Sequence, residues 1–179
     1  MDARSVSRIV VVDQGEHSHI ASDAVPAEVH SDPARPGFAS ARIWVTDRTP
    51  ARLNGLRESL PMPHRLEPPP GGSVCRIVTF PPDAGFLSGV GSREVKAFFA
   101  AIGSPAASTY SATSPHPYMQ KTRTLDFCLI LEGEITLVLD NEEVALKAGD
   151  TVVQRGTNHA WSNRSDRPCT MAISSHDAG

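Results

Sequence analysis

LDFCLILEGEITLVLD, residues 125–140, is the stretch that decides how this chain folds. Leu125, Phe127, Leu129 and Leu131 alternate with Asp126, Cys128, Ile130 and Glu132; Gly133 breaks the run; then Ile135, Leu137 and Leu139 alternate with Thr136, Val138 and Asp140. A period of two belongs to strands with unlike faces, so the stretch is expected to form two strands joined as a hairpin at Gly133. Asp140-Asn141 makes the next turn, and further strands are expected over Val144–Lys147, Thr151–Gln154, His159–Asn163 and Thr170–Ser174. Six short antiparallel strands in about 55 residues can bury their apolar faces only by closing into a sandwich or barrel.

Upstream the pattern changes. Fourteen of the fifteen prolines lie at or before Pro117 and none lies between Tyr118 and Arg167, so the regular hydrogen-bonded part is expected to follow Pro117. Within residues 1–117, three runs rich in Val, Ile, Trp and Phe read as strands near 8–13, 41–46 and 74–80. Pro61 to Gly72 is too proline-dense for helix or central strand and reads as an extended segment on the surface. Val95, Phe98, Phe99 and Ile102 fall at the spacing of a one-sided helix near 93–102, with Ser92 as its N-cap and Gly103 as its stop. Ser104 to Pro117 is small, polar and proline-bearing, a mobile connection that reads as a plain disordered loop ahead of a lid. The organisation expected is an extension, 1–117, wrapping a barrel core, 118–179.

Composition narrows the partners. Lys and Arg total 17 against 20 Asp and Glu, a net charge of −3, which disfavours nucleic acid or an anionic membrane held by charge. No apolar run approaches the ~20 residues of a membrane-spanning helix, and the apolar run near the first residues is too short for a secretory signal, so a cytoplasmic location is expected. Cys75, Cys128 and Cys169 are an odd number without Cys-x-x-Cys spacing and read as reduced thiols.

Two stretches carry a family resemblance: Met119-Gln120-Lys121-Thr122-Arg123-Thr124-Leu125-Asp126-Phe127, and Gln154-Arg155-Gly156-Thr157-Asn158-His159-Ala160-Trp161. They resemble the two motifs of the small single-domain cupins. Gln120, Thr122, Asp126 and Gly133 stand at the spacing of the first motif, and Gly149, Asp150, His159 and Asn163 at that of the second. The resemblance implies an all-β cupin fold, a jelly-roll (double-stranded β-helix) barrel, carrying an N-terminal strand-and-loop extension and one short helix. Looser echoes, IWVTDRTPARLNG and PPPGGSVCRIVTFPPDA, spread it over most of the chain.

A metal-binding cupin takes its ligands from two motif-one histidines, the acid and the motif-two histidine. By this resemblance the chain keeps only Asp126 and His159, because Gln120 and Thr122 occupy the histidine positions. An amide oxygen and a neutral hydroxyl are poor donors to a first-row divalent ion, so no metal or other cofactor is expected. Were a metal bound, its ligands would be Asp126, His159, Gln120 and His116, with His64 another histidine able to fold in.

Gln120, Thr122, Thr124, Asp126, Cys128 and Ile130 share one strand face, and His159 and Trp161 share another. On the family pattern both faces line the barrel interior. His159 and Asp126 are therefore the expected catalytic pair, with Gln120, Thr122, Thr124, Cys128 and Trp161 as substrate contacts. The favoured reading is a metal-independent enzyme, a lyase or isomerase, moving protons on a small, partly apolar carbonyl- or phenol-containing metabolite. The alternatives are a metal-dependent dioxygenase or isomerase and a non-catalytic small-molecule-binding barrel; a simple structural pairing of Asp126 with His159 also fits the residues. Single-domain cupins commonly dimerise through an N-terminal strand, so the resemblance implies a homodimer in which Arg8–Asp13 is donated to a second copy.

Overall fold

The structure, a computed structural model, describes residues 2–26, 28–53 and 62–178. Asn54-Gly55, which end the first looser echo, and Pro61 lie outside the described residues.

Eleven strands are present among the described residues: β1 (Arg8–Gln14), β2 (His17–Ala24), β3 (Val29–His30), β4 (Ala39–Thr46), β5 (Ser73–Phe80), β6 (Thr124–Glu132), β7 (Glu134–Val138), β8 (Glu143–Lys147), β9 (Thr151–Arg155), β10 (Ala160–Ser162) and β11 (Cys169–Asp177). They form a six-stranded sheet ordered β3-β4-β5-β11-β6-β9, a three-stranded sheet ordered β10-β7-β8, and a separate β1-β2 ribbon. All pairings are antiparallel. The two larger sheets share one core, to which Val78, Phe80, Cys128, Ile130 and Met171 come from one and Ile135, Leu137 and Trp161 from the other. Two sheets closed on one core are what the alternating pattern of residues 125–140 requires, and the all-β arrangement is the one the family resemblance implies.

The expected hairpin at Gly133 does not form. β6 pairs with β11 and β9, whereas β7 pairs with β8 and β10, so the chain crosses from one sheet to the other at Gly133. Gly133 has φ +83, and a Cβ there would lie 2.7 Å from the Pro168 carbonyl oxygen. A sharp change of direction in contact with another backbone is what only glycine accommodates. The true hairpin is β7-β8, closed at Asp140-Asn141.

The strands expected upstream are present, and two of them join the large sheet: β5 pairs with β11 and β4 with β5. β1, which the sequence shows as a strand without a neighbouring partner, pairs with β2, around Gly15 at φ +69. The ribbon leaves Ile9, Val11 and Ile20 exposed.

The helix α1 (Ser92–Ala101) buries Val95, Phe98 and Phe99, with Ile102 buried just beyond it, as their spacing predicts. Its N-cap is Gly91 rather than Ser92; the Glu94 carboxylate reaches back to accept from the Gly91 amide at 3.0 Å. That bond is the N3-acid half of a capping box and gives the N-cap amide its partner. Gly103 ends the helix at φ +72, where a Cβ would sit 2.2 Å from the His64 carbonyl oxygen.

The proline-rich segment is not a plain surface strap. Pro68 is buried and the His64 side chain is 4 % exposed. Proline removes amide donors, so the segment's carbonyls are answered by side chains. Arg42 Nη1 donates to Pro63 O at 3.2 Å, and Arg76 Nη1 donates to Arg65 O at 3.1 Å and Leu66 O at 2.9 Å. Arg42 and Arg76 are register partners on β4 and β5, so both buried guanidiniums stand on one face of the sheet, each with its own acceptors.

Candidate active site

His159 and Gln120 are set by backbone pairing. Gln120 N donates to His159 O at 2.8 Å and His159 N donates to Gln120 O at 2.9 Å, a closed antiparallel bridge that puts the two side chains on the same side. Gln120 Nε2 lies 3.3 Å from His159 Nε2, and His159 Nδ1 lies 2.9 Å from Thr157 O. A carbonyl can only accept, so Nδ1 carries the ring proton and Nε2 presents its lone pair to the Gln120 amide. His159 is 4 % exposed. Burial pulls its pKa below the ordinary imidazole value, against smaller upward pulls from the Thr157 carbonyl and the Asp126 charge.

Asp126 arrives on β6, opposite Gln154 on β9 and Ser175 on β11. It is buried, and its Oδ1 has no hydrogen-bond partner among the described residues. Asp126, His159, Gln120, Thr122, Cys128 and Trp161 line one cavity of about 60 Å³. Asp126 and His159 therefore face a common space from strands far apart in the chain, with no hydrogen bond or ion pair between them. Trp161 stands edge-on to His159, ring centroids 5.9 Å apart. Cys128 packs into the wall, its thiol pushed up to about 12 by burial and by the neighbouring Asp126 charge, which keeps it protonated.

Two expected members lie elsewhere. Thr124, at the start of β6, is buried but does not line the cavity; its hydroxyl is 2.7 Å from that of Thr122, which does. His116 is buried 3.6 Å from the Asp83 carboxylate, with its Nδ1 accepting from the Tyr118 amide, and does not reach Asp126 or His159. The intervening Pro117 and Tyr118 carry the chain round a turn at this point. The Ser104–Pro117 connection supplies no wall either; that side is closed by Phe98, Ile102 and Tyr118.

The sequence reading missed two cations in the wall, Arg35 and Arg76. Arg76 sits in the inward register of β5 with Val74 and Val78, and an arginine at a core position of an alternating strand was a readable signal. Its Nη2 donates to Ser175 Oγ at 3.0 Å. Arg35 lies in an irregular loop, and only tertiary packing brings it in. It is 4 % exposed, its carbon Cζ 4.0, 4.2 and 3.7 Å from the ring centroids of Phe38, Phe98 and Tyr118. Arg35 Nε donates to Asp32 Oδ2 at 2.8 Å, while Nη2 has no hydrogen-bond partner among the described residues. The cavity thus combines an imidazole lone pair, a carboxylate with an unmet oxygen and two guanidiniums among apolar walls.

This donor set does not suit a transition-metal ion at the barrel position. Asp126 and His159 offer two good ligands, Gln120 turns its amide to the His159 nitrogen, and Thr122 is a neutral hydroxyl paired with Thr124.

The family-model match agrees with the fold. Residues 111–175 match the family described as Cupin domain (Cupin_2). The chain is 34 % identical over 149 residues to the phomopsin biosynthesis cluster protein C' of Diaporthe leptostromiformis, covering 80 % of this chain and 60 % of that protein. It is 30 % identical over 125 residues to the cupin-domain-containing oxidoreductase virC of Hypocrea virens, covering 68 % and 48 %. Among solved structures it is similar to a Cupin 2 conserved barrel domain protein from Salinispora arenicola, with TM-score 0.42 and 15 % identity over 85 % of this chain and 83 % of that one. The chain spans three fifths or less of the length of these two curated relatives. No helix among the described residues is long and apolar enough to cross a membrane.

Proposed function

Because the chain belongs to the cupin superfamily and its barrel holds acid-base groups in place of a metal cage, we propose that it is a metal-independent enzyme of biosynthetic type that moves a proton on a small carbonyl- or phenol-bearing metabolite. The observation that carries this reading is His159 Nε2, a buried lone pair kept neutral by its surroundings, sharing one cavity with Asp126. A neutral imidazole takes a proton from a carbon next to a carbonyl or from a phenol. Arg35 Nη2, with an unmet donor, stabilises the enolate or phenolate oxygen that results, and Asp126 supports the imidazolium formed on His159. Gln120, whose amide meets Nε2, gives up that bond as the substrate's acidic hydrogen takes its place, Thr122 contacts a substrate oxygen, and Trp161 with Phe98 forms the apolar wall. Isomerisation, dehydration, cyclisation and decarboxylation all share this proton step.

The test follows deuterium exchange from solvent into a panel of 1,3-dicarbonyl and phenolic ketones by NMR. Exchange above the uncatalysed rate, or turnover, by the wild type, reduced about 10²-fold or more in His159→Ala and Asp126→Asn with the fold intact, is the expected result. Equal activity in both variants would refute the assignment.

A second reading, oxidoreductase chemistry, is favoured by the names of relatives such as virC. It predicts stoichiometric oxygen or electron-acceptor consumption with the same panel, where the proton-transfer reading predicts none.

We propose further that the protein is a homodimer in the cytoplasm and that a second copy covers the β1-β2 ribbon. The support is that Ile9, Val11 and Ile20 stand exposed on a two-stranded ribbon, an arrangement marginal in water when it has no third layer.

A further inference from the structure

Away from the barrel cavity, the only group of three or more metal-ligating side chains gathered among the described residues is Glu28, His30 and His64. One ligand atom from each lies within 4.8 Å of the others. Glu28 and His30 flank and form the edge strand β3, and His30 pairs with Ser40, an inward residue of β4. His64 comes from the proline-rich segment on the far side of residues 31–62. The His30 and His64 rings are 4.0 Å apart by centroid, and Glu28 Oε1 is 3.7 Å from His64 Nδ1.

His64 is the independent sign of a ligand. Its side chain is 4 % exposed, and neither ring nitrogen has a hydrogen-bond partner among the described residues. Leaving a buried polar atom unmet is unfavourable, so a bare imidazole facing a carboxylate and a second imidazole has an unexplained cost. We propose that Glu28, His30 and His64 form a divalent transition-metal site of zinc type that fastens the proline-rich segment to the edge of the large sheet.

The chemistry of the set is consistent with that. Two imidazoles and one carboxylate are ligands for zinc and its neighbours, leaving a fourth position for water. Ligand atoms on a tetrahedral zinc are roughly 3.3 Å apart, so the Glu28–His64 pair at 3.7 Å needs a small contraction and the set, gathered within 4.8 Å, a contraction of about 1.5 Å at most. Burial, with His30 and the Arg76 and Arg42 charges adding to it, drives the His64 pKa down to about 3, which keeps the ring in its ligating neutral form. Arg42 does not take the coordinating oxygen. It binds the other one, Nη2 to Glu28 Oε2 at 2.7 Å, and its Nη1 holds the carbonyl of Pro63 beside His64. In that position it orients the carboxylate from behind, the role of an outer partner at a metal site.

The test titrates Zn²⁺ into the chelator-treated full chain by calorimetry and records Tm with and without the ion. One Zn²⁺ per chain is expected, with Tm raised by roughly 5–10 °C at a hundredfold excess over Kd. His64→Ala, His30→Ala and Glu28→Gln should each lose the binding and the Tm rise, while His159→Ala keeps both. Since His64 is deeply placed and its replacement could unfold the chain, the half-buried His30 provides the decisive variant. Failure of the wild type to bind, binding that survives His30→Ala, or binding abolished by His159→Ala would each overturn the proposal.

Discussion

At the scale of the residue, His159 carries the most chemistry and can be interrogated through pH. Burial lowers its pKa from the ordinary 6.5, and the Asp126 charge offsets part of that. If its neutral form is the base, kcat/KM should hold steady as pH falls through 6.5 and decline only at lower pH. Asp126→Asn removes the upward pull, so besides slowing the reaction it should move this acidic limb to still lower pH. A limb at or above 6.5, or one that moves up in the variant, would deny His159 the role of base. Arg35 belongs to the same scale. Its guanidinium stacks on three aromatic rings, which fix its direction, and an ion so held offers its free donor without further ordering on binding.

At the scale of the element, the β1-β2 ribbon and the turn before it behave differently. Ala3 is fully buried against Ala39 and Ala41, and its amide donates to Thr79 Oγ1 at 2.9 Å, so the first residues are docked on the large sheet. The ribbon beyond them meets the body mainly through Arg8, whose guanidinium lies 5.9 Å from the Trp44 ring. Ile9→Lys with Val11→Lys should therefore leave the barrel folded by circular dichroism while converting a dimer to a monomer in light scattering. A wild type that is already monomeric, or a variant that remains dimeric, would remove the second copy from the ribbon.

Over the whole molecule, buried titratable groups bound the pH range of stability from both sides. His64 has a folded pKa of about 3 and His159 one below 6.5, so below 6.5 the unfolded chain takes up protons that the folded chain refuses. Stability is then full above 6.5 and is lost as pH falls toward 3. Cys128 and Cys169 have folded pKa values raised to about 12 and about 11 from 9.0, so their contribution is full below 9 and is lost as pH rises beyond it. The urea midpoint should be greatest between about pH 6.5 and 9, and His64→Gln should flatten its acidic side. An acidic side unchanged in that variant would mean other groups dominate.

What the sequence determined by itself is local. The alternation in residues 125–140 gave strands and their inward faces, the spacing of Val95, Phe98, Phe99 and Ile102 gave a helix and its buried side, and motif spacing placed Asp126 and His159 on faces that do share a cavity. These are properties of neighbouring residues and of a fixed backbone repeat. Which strand pairs with which was decided by tertiary structure: Gly133 reads equally as a hairpin turn or a crossing between sheets, and only closure of two sheets on one core selects the second. The same holds for Arg35, Glu28 and His64, which lie in stretches without periodicity. Their placement depends on loops laid across the sheet edge, where burial and long-range contacts, not local repeat, choose the partners.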